Sequence, residues 1–172
     1  MTATQRIQYR EDLDALYLSL TAACDLTEIT QALTDSQKSI GTEALFLTLS
    51  ENLFPCGSAE IDQRMIDLCR VLCDTLPNLK ELNIQRAGNS FVANSSCARF
   101  PLPALEILLE EIPNLETLRL RHLQFYEEAA SDSEEDLQLI LATALQNHLF
   151  LKSFTWHLCE CGAPTLNTLE ST

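Results

Sequence analysis

The chain has 172 residues with 25 acidic and 11 basic side chains, a formal net charge of −14, 46% hydrophobic residues and 32 leucines. That is the composition of one folded domain, too rich in large aliphatics for a disordered chain, and its apolar runs stop well short of the roughly 18 residues a membrane span needs. Four glycines and six prolines exclude a collagen-like chain, and the excess of acids argues against a nucleic-acid partner, which calls for clustered Lys and Arg.

In chain order, Met1 to Asp12 is polar, and no apolar run with a small-residue cleavage site follows it, so no secretory signal is expected. Residues 1–39 form an N-terminal segment with a degenerate unit at Leu13, Leu16 and Leu18 or a cap, and with a helix from about Asp25 to Gln37 through Leu26, Ile29 and Leu33. A short strand follows at Ala44, Leu47 and Leu49. Ile61, Met65, Leu68, Leu72 and Leu76 then recur at helical steps behind Ser58. The next strand holds Leu82 and Ile84, and Pro101 and Pro103 open a helix through Leu105, Leu108, Leu109 and Ile112. Another strand carries Leu118 and Leu120. Ser133-Glu134-Glu135-Asp136 resembles a capping box before a helix through Leu137, Ile140, Leu141 and Leu145, and the last strand carries Phe154 and Trp156. Residues 162–172 read as a flexible tail.

The chain repeats itself. Leu76-Pro77-Asn78-Leu79-Lys80-Glu81-Leu82-Asn83-Ile84 returns as Ile112-Pro113-Asn114-Leu115-Glu116-Thr117-Leu118-Arg119-Leu120, an offset of 36. The same step forward reaches Leu151, Phe154 and Trp156, and a step of 35 back reaches Ala44, Leu47 and Leu49. Strand and helix alternating at this period predict an α/β solenoid over residues 40–161, in which each unit buries its apolar face on its neighbours. Ala44 to Phe54 and Leu151 to Cys159 follow the pattern LxxLxLxxNxL, and the array resembles the leucine-rich repeat family. The asparagine position is Ala87 in one unit and Leu123 in another, and the units exceed the usual length of about 20 to 29 residues. The excess falls in expected loops, Arg86 to Pro101 and His122 to Asp132. The helical connections are similar to the ribonuclease-inhibitor-like subfamily. That resemblance implies short parallel strands on a concave face, helices on a convex face, and a partner protein on the concave side.

By this register Phe46, Thr48 and Ser50 align with Glu81, Asn83 and Gln85, with Thr117, Arg119 and Arg121, and with Ser153, Thr155 and His157. These are the candidate partner-binding residues. Arg119 and Arg121 suit a carboxylate-bearing partner, and Glu81 in the adjacent unit is their intramolecular alternative. Ser131 and Ser133 lie in an acidic run from Glu127 to Asp136 and are candidates for phosphorylation.

For chemistry the sequence offers only His122, His148 and His157 as near-neutral bases, with no Gly-rich phosphate loop, HExxH or GxSxG. His157 with Cys159 and Cys161 is the nearest approach to a metal cluster, but it lacks a second ligand pair, so neither metal nor cofactor is expected. Seven scattered cysteines read as reduced thiols of a cytoplasmic or nuclear protein, with Cys69 and Cys73 as small buried helix residues. The expectation is a noncatalytic protein-binding module. The alternative is a regulatory protein such as a ubiquitin-ligase adaptor or a GTPase-activating protein of repeat fold. Leu149, Phe150, Phe154 and Trp156 crowd the last strand, which predicts a homodimer or a capping partner at an open C-terminal edge. A tail or N-terminal segment folded back over the array is the other outcome.

Overall fold

The computed structural model describes residues 6–35, 41–51, 53, 58–88, 97–126, 139, 141–143, 145–146, 148–158 and 166–170. Strand β1 (Ile7–Arg10) passes through one 3-10 turn at Glu11–Leu13 and a left-handed Asp14 (φ 46°) into β2 (Ala15–Leu20). Aspartate tolerates that backbone because its short polar side chain bonds locally. Then come α1 (Ala23–Asp35), β3 (Ala44–Leu49), α2 (Ala59–Thr75), β4 (Glu81–Arg86), β5 (Ala98–Pro101), α3 (Leu102–Glu111), β6 (Thr117–Tyr126), β7 (Ser153–Leu158) and β8 (Leu166–Glu170). Residues 139, 141–143 and 145–146 are also helical.

The strands form one sheet in the order β1-β2-β3-β4-β6-β7-β8, with β5 pairing the far half of β6. From β2 to β7 every pairing is parallel, whereas β1 and β8 join the two ends antiparallel. The fold is therefore mixed α/β with a mostly parallel, one-way sheet. Alternation along the strands fixes which face is buried. Leu16, Leu45, Leu82 and Leu118 form one cross-strand row, Leu18, Leu47, Ile84 and Leu120 the next, and all are buried with Leu26, Ile29, Met65, Leu68, Leu105 and Leu108 of the helices. Each such leucine contributes about 1.5–3 kcal/mol on leaving water. A third row, Leu20 and Leu49, ends at Arg86, which is buried and donates to Glu51 Oε1 at 2.7 Å.

Each parallel strand starts the same way. The carbonyls of Asp14, Glu43, Lys80 and Glu116 each accept two successive backbone N–H groups of the next unit, at 2.6–3.2 Å in the sheet connections as a whole. The donors begin at Glu43, Lys80, Glu116 and Lys152, so the units step by 29, 37, 36 and 36 residues. The expected steps of 31 and 35 at the first two units are thus corrected by two residues: Leu45, not Leu47, pairs with Leu82, and Leu16 pairs with Leu45. Because side chains alternate with period two, the error leaves Leu47, Leu49, Phe46 and Thr48 on their expected faces, whereas Ala44, expected with Leu79 and Leu115, stands beside Glu81, and Leu13, expected in the apolar frame, is exposed. The same error moves Thr42 into the site held by Leu79 and Leu115, and Ser50 rather than Asn52 into the asparagine position.

Other expectations also change. The segments Arg86 to Pro101 and His122 to Asp132, expected as loops, contribute β5 and the second half of β6, joined beyond a bulge at His122. The C-terminal segment, expected as a flexible tail, supplies β8 along the edge of β7. Phe154 and Trp156 are half-buried against the core, leaving Leu149 and Phe150 as the exposed pair. Cys97, expected as a reduced thiol, is disulfide-bonded, a pairing that scattered spacing could not reveal. Cys24, Cys69 and Cys73 are free, and burial pushes the Cys73 thiol up to about 12.

The N-terminal hairpin is fastened by a buried carboxylate. Asp25 accepts from the Thr21 and Ala22 backbone N–H groups at 2.7 and 2.9 Å and from the Thr21 hydroxyl at 2.9 Å, and it pairs with Arg6. At the third helical position it closes the reverse half of a capping box and meets the positive end of the helix dipole.

Two substitutions test this account. Asp25→Ala leaves the mostly buried Arg6 with only Glu28, at 3.6 Å, and strands two backbone donors, and urea unfolding should show a loss of about 3 kcal/mol. Thr42 is fully buried and its hydroxyl has no hydrogen-bond partner among the described residues, so Thr42→Val should gain about 1 kcal/mol in the same assay, whereas Leu115→Thr at the equivalent site should lose stability.

Candidate functional site

The helices pack on one face of the sheet, and the strand residues of opposite parity line the other. Three rows cross it from β2 to β7. The first is Ala15, Ala44, Glu81, Thr117 and Ser153; the second Tyr17, Phe46, Asn83, Arg119 and Thr155; the third Ser19, Thr48, Gln85, Arg121 and His157. The β4, β6 and β7 members stand together as the 36-residue repeat predicts. Phe46 and Thr48 share the face but sit one row later than expected, beside Asn83 and Gln85. Ser50 lies just past β3, half-buried, its N–H donating to the Leu20 carbonyl at 2.9 Å.

At the β2–β3 side the rings of Tyr17 and Phe46 stack, centroids 4.5 Å apart and 6° from parallel. This is an offset aromatic pair built by cross-strand neighbours, and it leaves a half-buried apolar platform. In the middle Glu81 gathers two donors. Asn83 Nδ2 donates to its Oε1 at 2.8 Å, and Arg119 forms an ion pair with the same oxygen. The intramolecular pairing weighed from the sequence is therefore what Arg119 does, and Asn83 is nearly buried in the process.

Arg121 behaves differently. Eight described Lys and Arg side chains enter ion pairs, from Arg6–Asp25 to Lys152–Glu116, and Arg99 lies over the Tyr126 ring at 4.1 Å. Arg121 is exposed and has no ion-pair partner among the described residues. Its cross-strand neighbours are Gln85 and His157. The next residue, His122, stands at the bulge with a positive φ of 55°, and its ring centroid is 6.3 Å from that of His157. Partial burial holds the His122 imidazole below its ordinary range, and Arg86, His157 and Arg121 push it the same way. Arg121 and His122 in the middle of β6, with His157 near the end of β7, thus gather a basic cluster in an acidic chain, toward the side of the sheet where α/β folds commonly receive ligands.

The sequence missed three of these residues. Tyr17 and Ser19 belong to a full strand whose spacing to the next unit, 29 residues, hid it among the 36-residue steps. His122 read as the start of a loop, because a bulge leaves no periodic signal. Ser131, Ser133, Cys159 and Cys161 lie outside the described residues. Compared with protein-family models, with curated proteins and with solved structures, the chain matches none.

The lowered His122 sets a pH dependence. The unfolded chain takes up a proton near the ordinary value of about 6.5, whereas the folded chain resists it to lower pH, so stability present above that value is lost as pH falls toward the folded one. Asparagine tolerates the positive φ, so melting curves of His122→Asn should be flatter than those of the native chain between pH 7 and pH 5, values chosen at about the histidine range. Identical slopes would show that His122 is not the group responsible.

Proposed function

We propose that the chain is a leucine-rich-repeat-like, noncatalytic binding module that receives another protein on the helix-free face of its sheet. The observation that carries this reading is the one-sided packing. The apolar rows are spent against the helices, and the opposite face carries aromatic and polar side chains, all but Asn83 half-buried or exposed, that no described helix overlies. The repeat reading is supported by strands that each begin on the carbonyl of the preceding unit and by the triplets Leu79, Leu82, Ile84 and Leu115, Leu118, Leu120, all buried. No helix among the described residues is long and apolar enough to cross a membrane. The proposal includes a cytoplasmic or nuclear setting, which the scattered free cysteines support and the disulfide at Cys97 opposes.

The test compares two surfaces. Gln85→Arg places a third arginine on the helix-free face, beside Arg121, and Arg70→Glu reverses an exposed charge on α2. In crosslinking capture from source-cell extract, proteins recovered with the native chain should persist with Arg70→Glu and fall about ten-fold with Gln85→Arg, at unchanged melting temperature. The opposite pattern would assign binding to the helical side.

A further inference from the structure

The second and third rows of the helix-free face contain no carboxylate, although the chain carries 25 acids. Between β2 and β7 the acid of the first row is Glu81, already held by Asn83 and Arg119, and β8 adds Glu170 beside Ser153 at the end of that row. At the end of the third row stand Arg121, exposed and without an ion-pair partner among the described residues, and His157, with His122 beside them. Beyond the partial burial that disfavours a proton on His122, Arg86, His157 and Arg121 repel one. A carboxylate set over Arg121 removes that repulsion and accepts two parallel N–H bonds from the guanidinium fork. Two strands away, the Tyr17–Phe46 stack offers an apolar platform on the same face.

We infer that this face binds an extended segment of a partner protein whose carboxylate side chain sits on Arg121 and whose apolar side chain lies on Tyr17 and Phe46. The inference rests on the reading of this face as the partner surface and adds the chemistry of the partner. Phe46 and Arg121 are separated by two strands and one row, about 12 Å at ~4.8 Å per strand and ~3.3 Å per residue, which an extended chain spans in about four residues. An even spacing keeps both side chains on one side of that segment. Because the chain as a whole is at −14, the segment carries its acid at one point and not along its length.

The probes are N-acetylated, C-amidated peptides with one phenylalanine and one glutamate four residues on, paired with versions in which glutamine replaces the glutamate. They are titrated into the full chain and followed by NMR. The glutamate peptide should shift the His122 and His157 imidazole signals and bind about ten-fold tighter than its glutamine control, a difference that Arg121→Gln abolishes and Arg70→Gln does not. Equal binding of the two peptides on the sheet face would overturn the carboxylate reading while sparing the partner face, and shifts confined to the helical side would overturn both. Absence of any shift would overturn the carboxylate reading. The chain's own acidic run is the competing occupant. Replacing Glu127, Glu128, Glu134 and Glu135 with glutamine should leave peptide affinity unchanged, and a gain of about ten-fold would overturn the proposal in favour of that run.

Discussion

Everything else in this molecule depends on the rows of aliphatic side chains sealed between the sheet and its helices. A single strand-helix unit cannot remove its leucines from water; only the neighbouring units can. Leu45, Leu82 and Leu118 must therefore lie side by side, and once they do the strands are parallel, in register and joined by crossovers on one face. The shared carbonyls at each strand start are the backbone expression of the same constraint. They let one unit hand its hydrogen bonding to the next without a break.

An array of this kind has two ends, and both are finished by antiparallel strands. At the amino end β1 folds back on β2, held by Arg6 on Asp25; at the carboxyl end β8 lies along β7. Along the starts of the inner strands, Glu43 pairs with Lys80 and Glu116 with Lys152, an alternating ladder at equivalent positions of four successive units. These pairs are exposed and add little stability in water. Their value is in register: a slip of one unit would set like charges together. The bonds raise the Lys80 ammonium and lower the Glu116 carboxyl from their ordinary values.

The same economy of cations explains why one arginine stands apart. With 11 bases against 25 acids, a guanidinium without a carboxylate must be kept from them by geometry. Arg119, one row away, is captured by Glu81, and Arg86 by Glu51, whereas Arg121 lies between Gln85 and His157 in a row with no acid from β2 to β7. The stacked Tyr17 and Phe46 at the other side give the face a second, apolar point of contact.

The sequence by itself determined the period, the strand-helix alternation and the buried face of β3, β4, the first half of β6 and β7. Those features follow from apolar spacing alone, because the 3.6 and 2.0 periodicities are local properties of the chain. The register of β3 was beyond it, since Leu45, Leu47 and Leu49 alternate uniformly and a shift of two residues preserves the pattern. Only the tertiary structure decided that Thr42 takes a leucine site and that Phe46 meets Tyr17. Three further choices were tertiary too: Glu81 takes Arg119 and leaves Arg121, His122 turns outward at a bulge, and residues 166–170 pair as a strand. Each depends on which distant segment lies alongside, a matter of three-dimensional adjacency that no local spacing encodes.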